Sequence, residues 1–254
     1  MIELSRRPPG LHIKQIWFEE QPHDVVDCDV VHFYCCKKDV RVNGFSQQPQ
    51  CTIVIDLSQS KERIWGNISP KTRSGIRKAK GDGIIIQRNQ EPSRFLALDR
   101  NFRTSRGLML VNYPTDFIRK NCLLLTVEED EKLIAGILLL VDGSNMLGLL
   151  AASGRLDVDR EKASFISNIN KLLWWEAIRY GLENGVIDFD MGGYDNVADR
   201  SCLVDGVSEF KRRFGGQVVH YFHYEKVYSV RAKVAGWGIR HIGNFNNYFY
   251  KKDW

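Results

Sequence analysis

The chain has 254 residues, of which 43% are hydrophobic and 26% are charged, so it can bury a core and falls outside the disordered and fibrous classes. Its net charge of +5 is mild, and no nucleic-acid-binding module is recognisable, so we do not expect DNA as a partner. The longest apolar run, residues 133–141, is less than half of the roughly 20 residues needed to cross a bilayer. The N-terminus lacks the apolar segment of a secretory signal, and we therefore expect a cytoplasmic protein with reduced thiols.

A cluster of cysteine and histidine residues near the N-terminus invites a metal-site interpretation. However, residues 28–36 have the composition of one β-rich run, whose ends would lie roughly 26 Å apart at about 3.3 Å per residue. Ligands so far apart cannot converge on one ion. We therefore expect structural thiols and no metal.

The first third of the chain is predicted to form a β-rich subdomain that ends with a basic helix. Short β-rich runs alternate there with polar breaks such as residues 46–50. Ser69 followed by Pro70 predicts a helix start, and Gly81 and Gly83 predict its end. The predicted strands are 12–18, 29–35, 51–57 and 84–86. We expect an N-terminal subdomain over residues 1–83 and a second domain over residues 84–254.

The second domain is predicted to contain a three-stranded antiparallel meander followed by one long helix. Charged and glycine-containing separators between its strands are typical of hairpin turns. The apolar stripe from Phe165 to Leu182 predicts the long helix, and Asn184-Gly185 predicts its end, after a polar loop over residues 153–162. The predicted helices are 92–106, 115–119, 165–182 and 207–214, and the predicted strands are 122–127, 132–141, 145–152, 186–191 and 217–224.

Three stretches carry a resemblance to a known family: SPKTRSGIRKA at 69–79, IDFDMGGY at 187–194 and GVSEFKRRFGG at 206–216. Together with the element order they resemble the Fem-like branch of the GNAT superfamily, which includes peptidoglycan-bridge aminoacyltransferases and acyl-CoA-dependent sugar N-acyltransferases. The resemblance implies an α/β fold: a GNAT-like mixed, largely antiparallel sheet flanked by helices, with a β-rich N-terminal subdomain.

The resemblance implies an enzyme that transfers an acyl group to a primary amine. Our main hypothesis is transfer from acyl-CoA to a nucleotide-linked amino sugar in cell-surface polysaccharide or lipopolysaccharide biosynthesis. Two alternatives stay open: an aminoacyltransferase that uses aminoacyl-tRNA on a peptidoglycan precursor, and a non-catalytic ligand-binding module of the same fold. The chain length favours the first hypothesis over the bridge enzymes, which usually carry two complete domains of this type.

The start of the long helix is the expected position for the pyrophosphate of the donor, acyl-CoA. The glycine-containing loop that many GNAT relatives use there is absent, but the first turn of a helix attracts an anion whatever its sequence. We expect Arg160, Lys162, Ser164 and Phe165 to contact the cofactor. The alternative is a solvated polar loop that caps the helix through Ser164.

Lys211 is the leading catalytic candidate, because it occupies the lysine position of the family's Phe-Lys pair. In the family this lysine lies near the transferring acyl group, where a cation stabilises the developing oxyanion; the alternative is an ordinary surface lysine. Asp190 shares one face of a short strand with Asp188 and precedes a glycine pair, so it either orients the amine or binds backbone N–H groups of that turn.

Two further side chains are candidates for proton transfer. Tyr194 follows the glycine pair and has a hydroxyl that could reach the leaving group. His220 and His223 lie on opposite faces of the last strand, so at most one can serve, and we choose His220. A weak base suffices, because an amine with a pKa of roughly 8 is about 10% neutral at pH 7.

The basic helix is expected to bind the phosphorylated substrate. Arg73, Arg77 and Lys80 share one helical face and suit a diphosphate, Lys71 adds charge, and Phe210 is expected to line the same site. A solvated basic face is the alternative. The aromatic and basic C-terminal tail is expected either to touch an anionic membrane surface weakly or to cover the sheet or a homodimer partner.

Overall fold

The computed structural model describes residues 1–155, 158–193 and 206–234, and the chain divides into two compact units. The first unit is Met1–Thr52 together with the chain from Val219 onward, and the second is Ile53–Val218. This division differs from the expected boundary after residue 83. The reason is that strand Gln217–Val227 pairs antiparallel with Val30–Cys36 and so returns to the start of the chain.

The first unit is a sheet with the strand order β1-β2-β3-β10-β4. Its strands are β1 (Ile2–Arg6), β2 (Ile13–Trp17), β3 (Val30–Cys36), the beginning of β4 (Ser46–Asp56) and most of β10 (Gln217–Val227). β2 and β3 are parallel, whereas β1–β2 and β3–β10 are antiparallel. Phe33 and Tyr224 are among the buried residues of its core.

The second unit contains the end of β4 and the remaining strands, in the order β4-β9-β8-β7-β6-β5. They are β5 (Gln87–Arg88), β6 (Cys122–Glu129), β7 (Lys132–Asp142), β8 (Asn145–Ser153) and β9 (Asp188–Gly193). Its helices are α1 (Lys61–Asn67), α2 (Pro70–Gly81), α3 (Pro92–Ser105), α4 (Thr115–Asn121), α5 (Arg160–Glu183) and α6 (Gly206–Arg212). The predicted α/β class, with a largely antiparallel sheet and flanking helices, is confirmed.

The predicted meander is present as β6, β7 and β8, joined by two tight turns. The β6–β7 turn consists of Asp130 and Glu131, which both have positive φ angles, as a type I′ hairpin requires. Gly143, with φ of +52°, occupies the equivalent turn between β7 and β8. This meander supplies the apolar wall against which the long helix α5 packs.

Helix α5 connects β8 to β9, and these two strands pair in parallel. Their register runs from Asn145↔Asp188 to Leu147↔Asp190, and β9 then continues to Gly193. A β-strand, a crossover helix and a parallel neighbouring strand form the unit that places ligands at the carboxyl end of the strands in α/β folds. The end of β9 is therefore the first place to look for a site.

Three local predictions were wrong, and two elements were missed. The polar residues 46–50 belong to β4, since backbone pairing tolerates exposed polar side chains. Residues 84–86 form no strand, and Ile85 is 77% exposed. Helix α5 starts at Arg160 because Asp159 rather than Ser164 caps it, accepting the Lys162 N–H at 2.9 Å. Strand β1 and helix α1 were not anticipated. Among the described residues, no helix is long and apolar enough to cross a membrane.

Candidate active site

The backbone at the end of β9 comes unusually close to β8. Gly192 has a φ of +82°, in the region that glycine tolerates best. A Cβ added at Gly192 would lie 3.0 Å from the Gly148 carbonyl oxygen, and one added at Gly148 would lie 2.8 Å from the Trp174 ring. Glycine at both positions therefore permits this close approach.

The ammonium of Lys211, on α6, is bound at this point. Lys211 is only 8% exposed, and its Nζ donates to the carbonyl oxygens of Gly192 at 3.0 Å and Gly193 at 2.7 Å. Hydrogen bonds from a charged donor offset the cost of removing an ammonium from water. Lys211 is thus not an ordinary surface lysine: it places a fixed positive charge at the end of β9.

Asp190 lies on the same strand and stabilises the same turn. It is 4% exposed, and its Oδ1 accepts the Gly192 N–H at 2.7 Å. This is the backbone-binding geometry that the sequence left open as an alternative to amine binding. Because the Gly192 N–H is donated to Asp190 and the Gly192 carbonyl oxygen accepts from Lys211, the two candidates are linked through one residue.

The other candidates for catalysis and substrate binding are dispersed. Phe210 is half-buried, with its ring 5.2 Å from that of Phe214. His220 is exposed and belongs to the first unit, where its Nδ1 lies 3.4 Å from Cys51 Sγ. Tyr194 lies outside the described residues, as does the C-terminal tail from residue 235.

The start of α5 carries negative as well as positive charge. Lys162 forms an ion pair with Glu129 and lies 4.8 Å above the Phe165 ring, so its charge is already compensated. Asp159 caps the first turn. Arg160 and Ser164 are exposed. A pyrophosphate here would meet only Arg160 as an uncompensated cation among the expected contacts.

The basic residues Arg73, Arg77 and Lys80 of α2 all lie near Trp65 but make different contacts. Arg73 donates to the carbonyl oxygens of Trp65 at 3.2 Å and Gly66 at 3.0 Å, where it caps the end of α1. Arg77 lies 5.5 Å above the Trp65 ring. Lys80 lines a cavity of about 240 Å³ that also contains Trp65 and Trp175. Arg73 and Arg77 thus stabilise the contact with α1, and binding of a diphosphate by these three cations stays a prediction.

The sequence interpretation missed Lys171, which lies where α5 crosses α2. Its Nζ donates to Asn168 Oδ1 at 2.8 Å, and a Cβ added at Gly75 of α2 would lie 2.8 Å from that Nζ. The signal in the sequence is a lysine directly before the apolar residues Leu172 and Leu173. The apolar stripe predicts the helix but does not reveal which neighbouring groups Lys171 meets.

Fold and site together define the class of protein. A largely antiparallel sheet, a parallel β8–β9 pair joined by a long helix and a fixed cation at the end of β9 correspond to the GNAT-like architecture that the sequence implied. Residues 121–224 of this chain match the FemAB family. This match covers less than half of the chain and supports the expected resemblance to the Fem-like branch over these residues.

Solved structures with a similar fold agree with this assignment. The crystal structure of FemX is 14% identical, with a TM-score of 0.63, covering 92% of this chain and 85% of FemX. The structure of L-PGS from Bacillus licheniformis is 14% identical, with a TM-score of 0.54 and coverages of 85% and 73%. The C-terminal domain of a putative lysylphosphatidylglycerol synthetase from Agrobacterium fabrum is 13% identical, with a TM-score of 0.52 and coverages of 84% and 72%. At these identities the likeness concerns the fold. A comparison with curated protein sequences finds no match.

Proposed function

We propose that this protein transfers an aminoacyl group from an activated ester donor, such as aminoacyl-tRNA, to a primary amine of a cell-envelope precursor. The FemAB match over residues 121–224 supports acyl transfer of this kind. Two of the structural neighbours are lysylphosphatidylglycerol synthetases by name, which supports an aminoacyl rather than a simple acyl group. This favours the alternative considered from the sequence over acyl-CoA and a nucleotide-linked amino sugar.

The buried ammonium of Lys211 is the observation that carries the proposal. As the amine attacks the ester carbonyl, a C–N bond forms and negative charge develops on the carbonyl oxygen. A cation held by two backbone carbonyls does not need to reorganise to stabilise that charge. Such preorganised electrostatic stabilisation is usually the largest contribution to the rate of acyl transfer. The C–O bond to the donor then breaks, and the proton lost by the amine neutralises the leaving hydroxyl oxygen directly or through water.

Asp190 has a positioning role in this mechanism. Its carboxylate accepts the Gly192 N–H, so it helps to hold the residue whose carbonyl oxygen binds Lys211. A strong general base is not required, because an amine of ordinary pKa is partly neutral at pH 7. The charges at the start of α5 support a donor other than coenzyme A, since Glu129 neutralises Lys162 and Asp159 occupies the helix N-cap.

The test compares donors with one panel of acceptors. The protein is incubated with charged tRNA or with acyl-CoA, and with soluble and lipid-linked peptidoglycan precursors or nucleotide-linked amino sugars, and the products are weighed by mass spectrometry. We expect a precursor heavier by one amino-acid residue with charged tRNA. Transfer from acyl-CoA but not from charged tRNA would contradict the proposal and favour the acyl-CoA hypothesis of the sequence analysis.

Variants assign the chemistry to the site. Lys211→Met should lower the rate by about 10²–10³-fold, the usual cost of losing one oxyanion-stabilising group. Lys132→Gln removes an exposed lysine from the β6–β7 hairpin and serves as the matched control, with unchanged activity. If Lys211→Met stays folded and retains more than half of the activity, the active site is elsewhere. If the native protein transfers nothing with any donor and Lys211→Met still binds the substrate normally, the chain is a binding module.

A further inference from the structure

Three cationic side chains act on a fourth, Lys171, where α5 crosses the first half of α2. Lys171 is half-buried on α5, and its ammonium lies against Gly75 of α2. Its hydrogen-bond partner among the described residues, Asn168, is a neutral amide and offers no compensating charge. Within the described part of the chain, the charges that act on Lys171 are those of Lys71, Arg155 and Arg213.

The backbone explains why these residues meet. Lys71 precedes Gly75 by four residues and so lies one turn away on the same face of α2. The Arg213 carbonyl oxygen accepts the N–H of Ser69, the N-cap of α2, at 2.8 Å. The chain leaves β8 beside α5 as well, because Ser153 accepts a hydrogen bond from Asn170 at 3.2 Å, two residues before Arg155.

The cluster carries an excess of positive charge. Arg213 forms an ion pair with Glu209, in which both side chains are more than one-third exposed. Lys71 and Arg155 are exposed and make no ion pair with any residue that the structure describes. Burial and the three neighbouring cations together lower the pKa of Lys171. Like charges that act on one another repel, and a multivalent anion would relieve that repulsion.

We propose that Lys71, Arg155, Lys171 and Arg213 form a binding site for a phosphate or diphosphate group. Several ammonium and guanidinium groups on neighbouring segments can bind the several charged oxygens of such an anion. This site differs from the one expected on Arg73, Arg77 and Lys80, two of which contact α1 instead. The proposal is separate from the proposed transfer reaction, because it concerns binding in the absence of any acyl donor.

The experiment measures binding of inorganic pyrophosphate, inorganic phosphate and a nucleoside diphosphate by calorimetry at constant, low ionic strength. We expect pyrophosphate to bind and to raise the Tm, whereas sodium chloride of the same ionic strength should not. Tighter binding of the nucleoside diphosphate identifies a nucleotide-borne group as the source, and equal or weaker binding identifies the free anion; either result supports the site. Failure of all three probes to bind overturns it.

Charge-removing variants test the residues. Lys171→Met and Arg155→Gln should each weaken pyrophosphate binding at least about tenfold, in the range expected for loss of a charge-assisted contact. Arg155→Gln breaks no hydrogen bond to a residue that the structure describes, so it remains informative if Lys171→Met folds poorly. Lys71→Gln should also raise the Tm of the ligand-free protein, since it relieves repulsion. The control Lys132→Gln should change neither quantity, and equal affinities for Arg155→Gln and Lys132→Gln would refute the assignment. Pyrophosphate binding without aminoacyl transfer would support the anion site and contradict the proposed function. Aminoacyl transfer without pyrophosphate binding would do the reverse.

Discussion

Replacing Lys211 by methionine tests whether its ammonium holds the end of β9 in place. The variant keeps the length of the aliphatic stem but removes the donor from two carbonyl oxygens, 3.0 Å away at Gly192 and 2.7 Å away at Gly193. A buried acceptor left without a donor costs about 1–3 kcal/mol, so two would cost about 2–6 kcal/mol. Methionine avoids the desolvation of the ammonium, which reduces the expected net loss to about 2–4 kcal/mol.

A loss of this size is measurable by thermal unfolding. A protein of 150–250 residues changes its Tm by about 2–4 °C per kcal/mol, so we expect the Tm to fall by about 4–16 °C. Lys132→Gln, an exposed lysine of the same charge, should shift it by less than about 2 °C. A Tm for Lys211→Met within 1 °C or so of the native value would refute the view that these two hydrogen bonds stabilise the strand end. Activity is compared well below both transitions, so that lost transfer is not confused with unfolding.

Three further predictions concern other parts of the molecule. Gly192→Ala should destabilise the protein by about 1–3 kcal/mol in urea, because alanine is strained at φ +82° and its Cβ would lie 3.0 Å from a carbonyl oxygen; an unchanged midpoint would contradict this. Burial, followed by the nearby charge of His32, lowers the pKa of His223 to about 4; since the unfolded pKa is near 6.5, stability should fall as pH drops from about 6.5 to 4, and His223→Phe should flatten that dependence. Burial raises the pKa of Cys36 and of Cys122 to about 12; both should resist alkylation at pH 8 in the native state and react in urea, and rapid native labelling of either would be contrary evidence.

The elements with strong local signals were predictable from the sequence. Ser69 and Pro70 start α2 as expected, and the Ser69 side chain does accept the Thr72 N–H. The meander and the body of α5 followed from alternation and from helical periodicity. Helix α1 was not predicted because it contains Gly66 and a single buried residue, Ile64, and so has no apolar stripe of its own. Short elements of this kind are fixed by tertiary packing rather than by their own sequence.

Long-range pairing explains why the division into units could not be predicted. Strand β10 pairs with β3, almost two hundred residues earlier in the chain, with register partners such as Tyr224↔Phe33. Tyr224 then accepts the N–H of Val40 at 3.0 Å and donates to the Lys38 carbonyl oxygen at 2.8 Å. Nothing in the local composition of β10 indicates which earlier strand it will join, because any edge with an apolar face would satisfy the same pattern.

Local sequence also does not reveal the tertiary neighbours of the charged residues of α2. Helical spacing put Arg73, Arg77 and Lys80 on one face, but spacing does not reveal which groups that face meets. In the structure it meets the carboxyl end of α1 and an aromatic ring, both of which satisfy guanidinium groups without a ligand. Lys71 lies one turn from Gly75, against which the Lys171 ammonium is placed, and its charge adds to that of Lys171. A basic helix therefore marks an anion site only where the packed neighbour adds charge of the same sign, and α2 does so at its first turns.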